Sequence, residues 1–246
     1  MACPLARRLA NFTRLSPEDQ EGLERISRGN VRRVPARRDL IGEGDTPRSV
    51  FLILEGWACR YKQLPDGRRQ VVGFFMPGNL CDLNIYILQR MDHSVGAITP
   101  LRIAEVGRDE FEAVLDAHPR VMQALFWDEL VTIATQREWT LNLGQRTAYE
   151  RIAHLLVECF YRLRSVGLTD GASCDFPLTQ GDIADAAGLT SVHVNRMLQE
   201  LRRDGLVELA NRRLTIPDLR ALERVAMFNE NYLHLRHEGA HLDANA

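Results

Sequence analysis

Ser191, Val192, His193, Asn195, Arg196 and Gln199 place hydroxyl, imidazole, amide and guanidinium groups, with one bare methyl surface, on the outer faces of a single short helical stretch. Donors, acceptors and a methyl contact presented side by side are what reading the edges of stacked bases requires. A little downstream, Asn211-Arg212-Arg213 sets two arginines at the tip of a polar turn, where guanidinium groups would lie over phosphate. The expected ligand of this set is double-stranded DNA.

Such a surface needs elements to hold it. Thr179 precedes a run in which Ile183, Ala184 and Ala187 recur at helical spacing, and its hydroxyl is placed to cap the free amides of the first turn. Gly188 supplies the left-handed residue that a tight inter-helix turn wants, and Leu189 is placed to pack between the helices. Thr190 or Ser191 then caps a second helix whose Val194, Met197, Leu198 and Leu201 form an inner stripe. Asp204-Gly205 ends that helix, and residues 206–209 and 214–216 read as two strands around the polar turn. Two helices, a glycine turn and a basic hairpin are the layout of a winged helix-turn-helix. Helix pairs of this kind also occur as plain packing. The short turn, the polar outer face and the hairpin in the right place favour the DNA reading.

The whole chain sets bounds on that reading. With 246 residues, 45% hydrophobic and 26% charged, it has the make-up of an ordinary soluble globular chain of two domains or one large one. Thirty-one basic residues against thirty-three acidic leave a net charge of −2, which excludes a protein that coats nucleic acid through bulk charge. Even residues 178–216 balance, with Arg196, Arg202, Arg203, Arg212 and Arg213 against Asp182, Asp185, Glu200, Asp204 and Glu208. Binding must therefore come from placement. No apolar run reaches membrane-spanning length, and the N-terminus has Arg7 and Arg8 but no apolar secretory core, so a cytoplasmic chain with no membrane partner is expected. Cys3, Cys59, Cys81, Cys159 and Cys174 are scattered without a CxxC pair, which argues against a zinc ribbon and a disulfide framework.

From about Val31 to Val106 the pattern is of short β-rich runs broken by Gly and Pro: residues 50–54 before Glu55-Gly56, then 57–62, Pro65-Asp66-Gly67, 70–76 and Pro77-Gly78. This spacing predicts an antiparallel barrel or double-sheet jelly roll, a shape whose interior can hold a small ligand. At Pro119 a long helix begins, running to about Asn142, with Met122, Leu125, Phe126, Leu130, Ile133 and Leu141 recurring along it as an apolar stripe. A stripe that long would extend beyond one small barrel, and a second copy of the chain is the simplest cover; packing on its own barrel is the alternative. Leu143-Gly144 then reads as a flexible joint before a helix over 147–164, and a further helix is expected over 218–236. The expected fold is α+β: an N-terminal antiparallel jelly-roll β-domain (1–117), a long central dimerisation helix (118–142), a C-terminal winged helix-turn-helix domain with a C-terminal helix (143–236), and a tail (237–246).

Taken together, the β-region with Glu55-Gly56 and Pro77-Gly78, the long helix, and LTQGDIADAAGLTSVHVNRMLQELRRDGLV resemble the Crp/Fnr family of bacterial transcription regulators over about residues 15–216. The resemblance implies a cyclic-nucleotide-binding-like sensor domain, a homodimer, sequence-specific DNA binding and transcription control through RNA polymerase. By position, Ser191, Val192, Asn195 and Arg196 match the family's base-reading helix, and Thr179 and Gln180 match residues that touch phosphate. An arginine at the position of Arg196 can bond a guanine edge with two parallel hydrogen bonds, worth about 1–3 kcal/mol of discrimination.

The departures from the family pattern are equally informative. Val192 stands where members that read the best-known half-sites carry a glutamate, and it offers a thymine methyl contact but accepts nothing from cytosine. The β-region reads CDLNIYILQRMDHSVGA in place of the family's phosphate cassette, with Asp92 and His93 near where an arginine would grip the phosphate, so cyclic AMP is not expected. The N-terminal cysteine cluster of the iron–sulfur members is absent as well, because Cys3 stands alone there. Cys81, Asp82, Asp92 and His93 are the candidate effector-pocket residues, with no cofactor or effector identified. Haem or metal ligation by Cys81 and His93 is weaker than a buried thiol beside a hydrogen-bonded imidazole. His234, His237 and His241 have a spacing compatible with a metal, yet read better as solvated surface, and no metal site is expected. A cupin-like enzyme would need several His and a Glu converging in the barrel, but the β-region holds only His93, and neither a P-loop nor GxGxxG occurs, so no catalytic residues are assigned. A regulator acting mainly through protein contacts is the third reading.

Overall fold

The computed structural model describes residues 3–83 and 87–235. They form two compact units, one built from residues up to Lys62 together with Gly73–Ile133, the other from Gln63–Val72 with Ala134–Leu233.

The first unit opens with helices α1 (Pro4–Leu9) and α2 (Pro17–Arg28), the latter started by a capping box in which Ser16 and Asp19 satisfy each other's backbone amides. Strands β1 (Asn30–Val34), β2 (Asp39–Ile41), β3 (Ser49–Glu55), β4 (Ala58–Gln63), β5 (Arg69–Phe75), β6 (Leu80–Cys81), β7 (Ser94–Ala97) and β8 (Leu101–Gly107) follow, then helix α3 (Arg108–Ala117). They make two four-stranded sheets, in the orders β1-β8-β3-β6 and β2-β7-β4-β5. Strand β3 reads as an unbroken apolar run because both of its faces are covered. Val50, Leu52 and Leu54 pack with Leu5, Leu9, Leu23, Ile26 and Phe111 from the helices, while Phe51 and Ile53 meet Val34, Phe75, Val95 and Ile103 in the core between the strands. The turn after β3 requires Gly56: its φ is 87°, and a Cβ there would sit 2.4 Å from the Pro100 carbonyl oxygen.

Helix α4 runs unbroken over Pro119–Gln145. This corrects two expectations. Leu143-Gly144 is helix and not a joint; one interior glycine costs about 1 kcal/mol relative to alanine, too little to end a long helix. The break comes just after, where Thr147 caps α5 (Ala148–Ser165) in a capping box with Glu150. Leu125, placed by spacing on the dimerisation stripe, is 3% exposed and belongs to the core beneath α1–α3. A three-four repeat cannot say which side of a helix the core takes when apolar residues occupy both.

In the second unit, α5 is followed by β9 (Thr169–Asp170), β10 (Ser173–Asp175), α6 (Gln180–Ala187), α7 (Ser191–Arg203), β11 (Glu208–Ala210), β12 (Arg213–Thr215) and α8 (Leu219–Ala226). The four strands form one antiparallel sheet in the order β11-β12-β10-β9. The single helix expected over 218–236 is not found. It stops at Met227, whose φ is 46°, and the freed carbonyls of Ala226 and Met227 accept hydrogen bonds from Arg146 at 3.2 and 3.1 Å. A short 3-10 turn, Glu230–Leu233, follows, and Phe228 and Tyr232 close on the buried His154 ring with centroids 5.1 and 6.0 Å away. The gain in aromatic packing replaces the lost helical turns. His237 and His241 lie outside the described residues, and no helix among those described is long and apolar enough to cross a membrane.

Candidate nucleic-acid interface

Two capped helices create the recognition surface. The Thr179 hydroxyl donates to Asp182 Oδ2 at 2.7 Å and accepts from the Asp182 amide at 3.2 Å, while Asp182 Oδ2 also accepts from the Thr179 amide at 2.9 Å. The Thr179 side chain is therefore committed to capping α6, and a phosphate placed there would meet the helix N-terminus it holds in place and not its hydroxyl. Gly188, with φ of 64°, turns the chain out of α6, and Thr190 caps α7 by accepting from the His193 amide at 3.2 Å.

The faces of α7 are sharply divided. Val194, Met197, Leu198 and Leu201 are buried, whereas Ser191, Val192, Arg196 and Gln199 are exposed, and His193 and Asn195 are half-buried. Val192 is 81% exposed, an apolar side chain with nothing among the described residues to cover it. Asn195 Nδ2 donates to Gln180 Oε1 at 3.2 Å, so the two amides act as one fixed pair across the turn. Two hydrogen bonds brace the end of α7, one from α5 and one to the wing: Tyr149 donates to Asp204 Oδ2 at 2.6 Å, and Arg202 donates to the Leu209 carbonyl at 3.0 Å. The Asp204 bond also holds that carboxyl below its usual range.

β11 and β12 pair with Leu209 opposite Leu214 and Ala210 opposite Arg213, which leaves Asn211-Arg212 as a two-residue tip. Both tip residues are left-handed, with φ of 51° and 60°, as the tightest hairpin turns demand. The Arg212 side chain is exposed at this tip, and its carbonyl accepts from the Phe176 amide at 2.8 Å. Arg213, expected beside it over phosphate, is instead turned to Asp170 at 3.1 Å and Asp175 at 3.5 Å. Those carboxylates come from a neighbouring strand pair that the sequence pattern did not reveal.

Sequence reasoning also missed the polar cluster that fixes α5 under the motif. Glu158, fully buried, accepts from Trp139 Nε1 at 3.1 Å and from the Tyr232 hydroxyl at 2.8 Å. His154, also fully buried, meets Asn142 at 3.0 Å, and Asn142 Oδ1 accepts from Arg146 at 3.0 Å. A His and a Glu four residues apart on the apolar face of α5 were the available signal.

The other expected sites sort as follows. Met122, Phe126, Leu130, Ile133 and Leu141 are 40–58% exposed, an uncovered apolar stripe along α4. In the β-domain, Cys81 is fully buried among the barrel residues, and its thiol is pushed up by burial and by Asp82. Asp82, Asp92 and His93 do come together, His93 Nε2 lying 2.9 Å from Asp82 and Nδ1 2.6 Å from Asp92. Among the described residues no group of three His, Cys, Asp or Glu side chains is arranged to hold a metal ion, and all five cysteines are free.

Comparison with known proteins gives this architecture a family. Residues 31–118 match the model of a cyclic nucleotide-binding domain, and residues 150–225 match a Crp-like helix-turn-helix domain. The chain is similar to the transcriptional activator protein FnrL of Cereibacter sphaeroides, 33% identical over 87% of this chain and 86% of that one. It is 31% identical to the transcriptional activatory protein AadR of Rhodopseudomonas palustris, over 89% and 90% of the two chains. Among solved structures, that of FixK2 from Bradyrhizobium japonicum superposes with a TM-score of 0.71 at 25% identity, covering 80% of this chain and 96% of that one. The chain belongs to the Crp/Fnr family of DNA-binding transcription regulators.

Proposed function

We propose that the chain acts in the cytoplasm as a homodimer, reads a near-palindromic duplex with α7, and activates transcription by contacting RNA polymerase. The observation that carries the reading is the division of α7 into a fully apolar inner face and an outer face on which Arg196 has no partner among the described residues. Arg196 is assigned to a guanine edge and Val192 to a thymine methyl. Ser191, His193, Asn195 and Gln199 share that face. Arg212 is assigned to phosphate, with Gln180 and the capped ends at Thr179 and Thr190. The apolar stripe of α4 is the surface a second copy would cover, and the activator role rests on the names of the relatives. The β-domain is the sensing half, where the Asp82–His93–Asp92 cluster is the place a signal would enter. Neither cyclic AMP nor an iron–sulfur cluster is assigned to it.

Selection from random duplexes tests the reading. The expected outcome is enrichment of an inverted repeat whose half-sites lie about one helical turn, roughly 34–36 Å, apart. Enrichment of a single unrepeated element, or of nothing, would contradict it.

A further inference from the structure

The β-domain contains a closed set of charges that no part of the DNA-binding account uses. Arg60 on β4 lays its guanidinium over the Phe75 ring, 5.1 Å from the centroid, and donates from Nη2 to Asp82 Oδ1. The second oxygen of Asp82 is met by His93 Nε2 at 2.9 Å, and the opposite ring nitrogen of His93 lies 2.6 Å from Asp92. The side chains of Arg60, Asp82 and His93 are only 16%, 15% and 12% exposed, so water screens them little. Asp82 is the one anion between two cation-forming groups, and it reaches them from a left-handed backbone, φ 60°, just past the end of β6. Arg60 Nε is buried and has no hydrogen-bond acceptor among the described residues.

We propose that Arg60 and His93 form an oxyanion-binding site in the β-domain that the chain's own Asp82 carboxylate fills. A carboxylate bridging a guanidinium and an imidazole offers the same two-oxygen contact that a ligand carboxylate or phosphoryl group would offer. The resident carboxylate keeps that place occupied without any effector. Removing it would leave two positive groups facing one another in a partly buried space, a state relieved by loss of the imidazole proton or by entry of an external oxyanion. The charge state of His93 follows from its neighbours. Burial works against protonation, but the Asp82 and Asp92 carboxylates outweigh it and hold the imidazole pKa above its ordinary value. The other charged groups facing the cluster are Arg60, Lys62, which donates to the Asp92 carbonyl oxygen and pairs with Glu43, and Glu129 of α4, within electrostatic reach of Asp82 and Arg60. This inference rests on reading the β-domain as the sensing half of the molecule. It is tested by anion binding itself, so its failure leaves DNA binding standing, and loss of DNA binding leaves it standing.

The decisive variant is Asp82→Gly in the full chain, because glycine accepts the left-handed backbone while vacating the site. Thermal unfolding near pH 6, at ionic strength held constant with sodium chloride, should place this variant below the parent. Titration with inorganic phosphate or acetate should then raise its Tm saturably by about 3–5 °C. The parent and the double variant Arg60→Gln/Asp82→Gly should not respond. A response to phosphate alone identifies a phosphoryl site, and a response to acetate a carboxylate site. An unresponsive Asp82→Gly, or equal responses in the parent or the double variant, would overturn the proposal. Should Asp82→Gly fail to fold, the His93 imidazole resonance supplies the reading: its midpoint in the parent should lie above about 6.5 and fall in Asp82→Asn. An ordinary midpoint in the parent, or one unmoved by Asp82→Asn, would overturn it.

Discussion

At 81% exposed, Val192 is a side chain that folding alone does not explain. A methyl surface in open water does nothing for stability, whereas against the 5-methyl of thymine it is worth up to about 0.8 kcal/mol per buried group. Replacing the contacted thymine by deoxyuridine should therefore weaken binding of the parent chain by about three- to fourfold and leave Val192→Ala nearly indifferent; equal effects on both in a fluorescence titration would remove Val192 from the readout. The exposed placement of Val192 and Arg196 was legible in the sequence because helical spacing alone separates them from Val194 and Leu198. Arg213 was not, since the carboxylates that hold it, Asp170 and Asp175, sit on a short strand pair with no alternating pattern to announce it. His93 was legible as a hydrogen-bonded imidazole and as a candidate pocket residue beside Cys81, Asp82 and Asp92, though which carboxylates it pairs with was not. Its partners are Asp92, its chain neighbour, and Asp82, which lies just past the end of β6.

Among the elements, the wing is shaped for its tip. Arg212 holds a backbone conformation with φ of 60° that costs an ordinary residue about 1–2 kcal/mol, and a glycine would serve the turn better. Arg212→Gly should accordingly stabilise the fold by about 1 kcal/mol in urea unfolding, yet weaken binding to all duplexes alike and reduce the slope of log K against log salt by about 1. A variant neither more stable nor weaker on DNA would deny the wing that role. Helix α4 gives the opposite case, a glycine with no visible task. Nothing lies within 4 Å of a Cβ added at Gly144, so Gly144→Ala should raise stability by about 0.5–1 kcal/mol, whereas a joint at this position would make it destabilising. The β-rich run, helix α4 and the helix pair of α6 and α7 were readable from period and punctuation, whereas α1, α2, α3 and the β9–β10 pair were not. The ends of α6 and α7 were marked by their caps and glycines, but those of α4 and α8 were not, because particular hydrogen bonds set them, those of Thr147 with Glu150 and of Arg146 with the carbonyls of Ala226 and Met227.

For the whole molecule, the balance of thirty-one basic and thirty-three acidic residues means that affinity for DNA must be concentrated on a few side chains and doubled by pairing two protomers. The exposed stripe of Met122, Phe126, Leu130, Ile133 and Leu141 is the surface proposed above for that pairing. Leu130→Glu should turn the dimer into monomer in sedimentation at micromolar concentration and lower affinity for a palindromic duplex by at least about tenfold, since a charge buried against a second apolar helix is uncompensated. An undisturbed dimer would place the interface elsewhere. The most direct test of the central claim, that α7 reads bases in pairs, is methylation interference on the selected duplex. Methylating guanine N7 should block the parent chain at one guanine in each half-site, symmetrically about the centre, and should not matter to Arg196→Ala at those positions. Unsymmetrical interference, or the same pattern with and without the Arg196 guanidinium, would contradict it.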